Sequence, residues 1–252
     1  MKKLYISLIL GFVVLHFGIA QIKPNEKLIY AASYNMSGLM TQIAQVSMNT
    51  EIVKTSKKSF LHLTWEASTY TKWDSFFKIR DLYESYVDPL SLSPSLFKRS
   101  TNEGGYTINQ KYIFGADNKS INSTSKFQNG AEQKKNVSIG NTTRDIISMV
   151  YKLRTVDFSK YKAGQVISFT LVFDEKEYPI SIKLMGRETV SAGNLGKKDC
   201  YVLSIGAKTD KLRGKDKNLI WLTTDSNHTP VLVRFSIPVG TGQIALSNAS
   251  GI

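Results

Sequence analysis

The chain has 252 residues, 42% of them hydrophobic and 11% aromatic, which is ample for a packed core and excludes disordered or collagen-like classes. One cysteine cannot form an internal disulfide, and with only three histidines beside it, histidine-rich and cysteine-ligated metal sites are excluded. Lys and Arg outnumber Asp and Glu by 33 to 20, for a formal charge of +13.

In chain order, Lys2 and Lys3 precede an almost wholly apolar run from Leu4 to Phe17. Gly18-Ile19-Ala20 then places small residues at the two positions a signal peptidase reads. The run is short for a bilayer span of roughly 20 residues. The expectation is therefore a signal peptide over 1–20, cleaved before Gln21, and a single domain over 21–252. No cysteine follows the run, so lipid attachment there is not expected. His62 and His228 are the two histidines of the mature chain, one in a strand pattern and one in a turn.

Beyond Gln21, alternation of period two dominates, the mark of half-buried strands. Leu28, Tyr30, Ala32 and Tyr34 share one face, as do Leu61, Leu63, Trp65 and Ala67. A short helical stretch interrupts at Thr71 to Ile79, followed by a strand over Arg80 to Asp88. Asn118 to Asn141 is poor in apolar residues and reads as a weak strand or hairpin with a loop. Thr143 to Leu153 places Ile146, Ile147, Val150 and Leu153 on one helical stripe, with Thr142 and Asp145 spaced as a capping box. Ile167, Phe169, Leu171 and Phe173 form an apolar row, and Tyr178, Ile180, Ile182 and Leu184 answer it after a turn at Asp174 to Glu177. Strands follow at Tyr201 to Ile205, Leu219 to Thr223 and Val231 to Ile237, with a basic loop at Ala207 to Lys217. The fold class is all-β, a curved antiparallel sheet or open β-barrel with one or two short helices.

Candidate site residues fall in four groups, each with two readings. Arg80, Glu84 and Tyr86 share a strand face and could line a polar cavity, or Glu84 could pair with Arg80 on a solvated face. Glu103, with Tyr106 beyond Gly104-Gly105, could supply a second carboxylate for acid–base chemistry, or could flank a glycine bulge. Arg154 could bind an anion through its planar fork, or be held by Asp157 or Asp145 to anchor the helix. Trp73, Phe76 and Phe77, flanked by lysines, could touch a lipid, a membrane or a partner protein, or plug one end of the barrel.

At Asp81-Leu82-Tyr83-Glu84-Ser85-Tyr86-Val87-Asp88-Pro89 and Asn102-Glu103-Gly104-Gly105-Tyr106, the chain resembles an exported bacterial family, domain of unknown function 3108. Asp145-Ile146, Ser148, Tyr151, Arg154 and Asp157 look like its helix motif. Leu195-Gly196-Lys197 with Cys200 looks like its turn-to-strand motif, and Trp221, Asp225, Pro230 and Val231 look like its C-terminal strand pair. The resemblance spans nearly the whole mature chain and implies a periplasmic protein of a Gram-negative envelope. It implies no activity.

The expected function is a non-enzymatic envelope protein that binds an apolar or amphipathic ligand in a concave face. Its partners would be a lipid or envelope glycan, or an outer-membrane or periplasmic protein. No cofactor, metal or nucleic acid is expected, because exported chains rarely meet nucleic acid and the cations are scattered. The alternative is a hydrolase of cell-wall glycan using Glu84 and Glu103, which needs the carboxyl groups roughly 5 to 10 Å apart across a cleft.

Overall fold

A computed structural model describes residues 22–36, 38–207, 218–237 and 240–252. The expected signal peptide with its cleavage point, and residues 208–217 of the basic loop, lie outside the described residues. Among those described are one α-helix, α1 (Ile146–Arg154), and fourteen strands. The strands before the helix are β1 (Lys27–Met36), β2 (Leu39–Lys54), β3 (Ser59–Thr69), β4 (Ile79–Val87), β5 (Pro94–Glu103), β6 (Tyr106–Phe114), β7 (Ser120–Phe127) and β8 (Gln133–Ser138). Those after it are β9 (Val166–Phe173), β10 (Lys176–Ser191), β11 (Lys197–Ala207), β12 (Leu219–Thr223), β13 (Pro230–Ile237) and β14 (Gly240–Ser250).

All fourteen form one sheet in the order β8-β7-β6-β5-β4-β3-β2-β1-β14-β13-β12-β11-β10-β9. Every neighbouring pair is antiparallel. The two halves of the chain are thus two meanders joined along β1 and β14, and the curved sheet does not close. Antiparallel order also sorts the connections. Those of β1–β2, β3–β4, β5–β6, β7–β8, β9–β10, β11–β12 and β13–β14 gather at one end, the rim, and the others at the base.

The edges β8 and β9 are bridged by other means, since a sheet edge left open exposes unpaired amides. Arg144 forms a parallel bridge to Leu171, donating its N–H to Thr170 and accepting from Val172 N–H. Glu177 accepts from Gly140 N–H at 2.7 Å and from the Thr143 hydroxyl. The β9–β10 turn reaches across the gap. Asp174 and Glu175 both adopt left-handed backbone (φ 47° and 62°), which matches a two-residue hairpin turn but is costly for glutamate. Contacts hold it there: Glu175 accepts from Ser123, Ser125 and Lys135 and donates its N–H to Tyr112 Oη, while Arg99 pairs with Asp174 at 2.7 Å.

The helix starts with its apolar stripe at Ile146, three residues after the expected Thr143, and needs no capping box. Asp145 is itself the cap. Its Oδ1 accepts from Ile147 N–H and Ser148 N–H at 2.9 Å, and its Oδ2 from the Ser85 and Ser148 hydroxyls at 2.7 and 2.8 Å. One carboxylate thus caps the helix and ties it to β4. Burial pushes the Asp145 carboxyl up, and these donors pull against that shift. At the other end Arg154 is buried and makes a double-pronged pair with Glu26, Nη1 to Oε1 at 2.7 Å and Nη2 to Oε2 at 2.6 Å. It also donates to Asn227 O. Its partner is therefore neither Asp157 nor Asp145.

Elsewhere the alternation maps onto strands with local adjustments. The β1 ladder shifts register between Ala32 and Ser33 against β2. Leu28 and Tyr30 are buried, but beyond that shift Ser33 is buried where Ala32 and Tyr34 are half-buried, as a bulge that turns the strand over requires. The stretch Asn118 to Asn141 is the full hairpin β7–β8. His62 is a buried strand residue and His228 a buried turn residue.

The Glu26–Arg154 pair yields a direct test. Both side chains are at most 2% exposed, so removing one partner strands a buried charge, at a cost of about 3 to 5 kcal/mol. Urea unfolding should show that loss for Arg154→Met or Glu26→Gln alone. The double variant should recover much of it.

Candidate functional site

Inside the barrel lies a cavity of about 320 Å³. Its wall runs around one level of the sheet: Trp65 on β3, Val46 and Met48 on β2, Tyr30 on β1, Ile244 on β14, Val233 on β13, Ile220 on β12, Ile205 on β11, Ile180 on β10 and Leu171 on β9. Ile244, Val233 and Ile220 face one another directly across successive ladders. Helix α1 contributes Ile146, Met149 and Val150. The helix therefore fills the barrel interior partway and leaves an apolar space beside it.

No charged group lines this space. The Tyr30 hydroxyl is engaged, donating to Pro230 O at 2.9 Å. Val46, Trp65, Ile205, Val233 and Ile244 are half-buried rather than sealed. Pocket walls of this kind suit hydrocarbon and offer almost nothing to sugar hydroxyls or phosphates.

None of the residues singled out from the sequence lines the cavity; they lie around it. Arg80 is bound by Asp74, Nη1 to Oδ1 at 3.0 Å and Nη2 to Oδ2 at 2.6 Å, and so does not pair with Glu84. The guanidinium and the Thr69 hydroxyl hold the Asp74 carboxyl below the usual range. Glu84 accepts instead from Tyr86 Oη at 3.2 Å, sits 3.1 Å from His62 Nε2 and 3.6 Å from Lys98 Nζ. The Tyr86 ring stacks on His62 at 4.1 Å, and Glu51 holds the other imidazole nitrogen at 2.8 Å. This is a closed ionic cluster on a sheet face.

Glu103 and Tyr106 pair across the end of the β5–β6 hairpin. Gly104 and Gly105, at φ 60° and 91°, form its two-residue turn, so the glycines make a turn and not a bulge. The hydrolase geometry fails here. Glu84 stands opposite Lys98, and Glu103 opposite Ile79. Positions 79 and 84 differ in parity, so the carboxylates point to opposite faces, about 17 Å apart along the strand. Glu103 lies instead near Asp81, which the sequence reading did not select. Burial and then the Glu103 charge push the Asp81 carboxyl up to about 6, opposed by Asn102 N–H. Beside them Tyr83 is pushed to about 12, chiefly by burial.

Arg154 spends four of its five N–H groups on Glu26 and Asn227, so no two-pronged fork is left for an external anion. Trp73, Phe76 and Phe77 do not plug the barrel: Phe76 is 75% exposed and Phe77 46%. They stand at the rim. Among the described residues no cluster of three or more His, Cys, Asp or Glu is placed to hold a metal. No helix among them is long and apolar enough to cross a membrane.

Asp81 supplies a pH test. Its folded pKa, near 6, lies above the ordinary 3.8, so the folded state binds that proton more tightly than the unfolded chain. Its contribution to stability is present at low pH and is lost as pH rises through that interval. Melting curves between pH 4 and 7 should show Asp81→Asn gaining on the native chain as pH increases, and no gain at pH 4.

The model of the family described as "Protein of unknown function (DUF3108)" matches residues 30–247. No curated protein matches the chain. Among solved structures, a β-barrel-like protein of domain of unknown function DUF1849 from Brucella abortus superposes with a TM-score of 0.57 at 11% identity, covering 91% of this chain and 98% of its own. A protein named as a "putative lipoprotein" from Parabacteroides distasonis ATCC 8503 gives 0.37 at 7% identity, over 92% of this chain and 98% of its own. One with a YmcC-like fold from Bacteroides fragilis NCTC 9343 gives 0.34 at 9%, over 92% and 99%. The first of these likenesses supports the barrel-like fold. The family match covers most of the chain, which therefore belongs to the DUF3108 family.

Proposed function

We propose that this DUF3108 protein is an exported, non-enzymatic binding protein that holds an apolar or amphipathic envelope ligand in its barrel. The observation that carries this is the cavity: about 320 Å³, walled by aliphatic and aromatic side chains from ten elements. That volume falls at the small end of ligand pockets. The wall is partly open, so water against apolar side chains is the alternative occupant, and a chain segment of a lipid replacing it would gain about 0.8 kcal/mol per buried methylene.

A lipid fits this wall better than an envelope glycan, since sugar hydroxyls would find no partners there. Export is supported by the leader pattern at 1–20, with the periplasm as the compartment it points to. The reading is non-enzymatic because the two candidate acids, Glu84 and Glu103, stand on opposite faces and Glu84 is engaged by His62, Tyr86 and Lys98.

The test is native mass spectrometry of protein purified gently after expression of the full-length chain, followed by organic extraction. The expected result is a bound amphiphile of defined mass, lost in Val233→Trp, whose indole would occupy the space while the fold is retained. Protein that carries no adduct and takes up no long-chain fatty acid on incubation would overturn the proposal.

A further inference from the structure

We propose that the rim on the β1–β6 side is a docking surface for a lipid bilayer bearing anionic headgroups. Three consecutive rim connections present large apolar side chains to solvent. Leu39 (73% exposed) and Met40 (44%) follow the β1–β2 connection, Phe76 and Phe77 lie between β3 and β4, and Tyr106 (47%) follows the β5–β6 turn. At the base, Leu90 (88%), Ile113 (46%) and Ile52 (40%) are exposed as well, but no exposed aromatic ring stands among them, and the β2–β3 and β6–β7 connections, Thr55-Ser56-Lys57-Lys58 and Gly115 to Lys119, carry no large apolar residue.

The rim residues are held outward by fixed contacts. Trp73 Nε1 donates to Gln42 O at 3.0 Å, and Tyr70 N–H to Ile43 O, so the β3–β4 connection is tied to β2. The Phe77 ring lies on Gly104, where an added Cβ would come within 2.7 Å of it; the left-handed glycine therefore serves both the turn and this contact. The Asp74–Arg80 pair braces the same connection. Phe76 is thereby left with its ring in water.

Charge selects the occupant. Lys72 and Lys78 are exposed beside the rings, Lys72 Nζ 5.8 Å from the Trp73 ring. Asp74 is neutralised by Arg80, leaving Glu103 as the exposed carboxylate on these three connections. Aromatic and aliphatic tips flanked by lysines have the composition of an interfacial anchor, the rings entering the headgroup–acyl boundary and the ammonium groups meeting anionic lipid. The patch and the cavity share the barrel, so docking would bring a membrane to the mouth of a lipid site. This purpose rests on the proposed function; the surface is argued without it.

The experiment is co-sedimentation of protein, purified after expression of the full-length chain, with vesicles of phosphatidylethanolamine containing a minority of phosphatidylglycerol. Phe76→Ser should weaken partitioning about tenfold or more, the loss expected for one buried phenyl ring. Leu90→Ser at the base, where Leu90 is 88% exposed, should leave it unchanged. Salt should weaken binding of the native chain. Unchanged partitioning in Phe76→Ser with an unchanged melting temperature, an equal loss in Leu90→Ser, or a dimer that Phe76→Ser dissolves would each overturn the proposal. Val233→Trp separates the two readings: it should abolish ligand uptake and leave vesicle binding intact.

Discussion

The interior of this barrel depends on how α1 is held. A fourteen-stranded sheet that curls without closing cannot fill its own lumen, so a helix must enter it, and a helix brings unsatisfied amides and carbonyls with it. Both ends are managed with buried charge. Asp145 caps the first turn and ties it to Ser85 of β4, and Arg154 at the last turn binds Glu26 just before β1. These two anchors set the depth of the helix. The depth in turn decides that Met149 and Val150 border an open space instead of meeting the opposite wall.

Closure follows a related logic. The β8 and β9 edges do not pair, and the gap is spanned by the 139–145 segment and the tip of the β9–β10 hairpin. That tip carries a left-handed glutamate, a conformation that the Glu175 side chain and N–H compensate with four contacts to β6, β7 and β8. Polar side chains therefore do at the seam what a ladder does elsewhere. Backbone pairing across the seam is confined to the single Arg144–Leu171 bridge, whereas every other neighbouring pair of strands is joined by a full ladder.

How much of this the sequence disclosed depends on the range of each interaction. Period-two rows such as Ile167 to Phe173 and the helical stripe at Ile146 to Leu153 are local, and both became elements near their expected bounds. The family motifs were legible for the same reason. β2, β5, β6 and β14 were not, because their polar residues mask the alternation: Arg99 and Gln110 are buried here while Ile113 is exposed. The partner of Arg154 lies 128 residues away, beyond any spacing rule. The Gly104-Gly105 pair did hold a usable signal, since two glycines between alternating runs mark a two-residue hairpin turn. Read that way, Glu103 closes a hairpin and loses its claim as a catalytic partner of Glu84.

The cavity was the least legible feature and the most informative one. Its wall draws one residue from most of the strands, and each of those residues looks like ordinary core by itself. What distinguishes them is a shared level in the barrel, which depends on register across eight ladders and on the depth of a helix. Charged and aromatic residues, which sequence reading favours as functional, went instead to the ionic clusters that brace β3, β4 and β5 and to the rim. A site whose chemistry is apolar leaves its trace in the volume that side chains fail to fill. Here the two buried anchors of α1 set that volume, so the cavity and the helix anchoring are one structural problem solved by Glu26, Asp145 and Arg154.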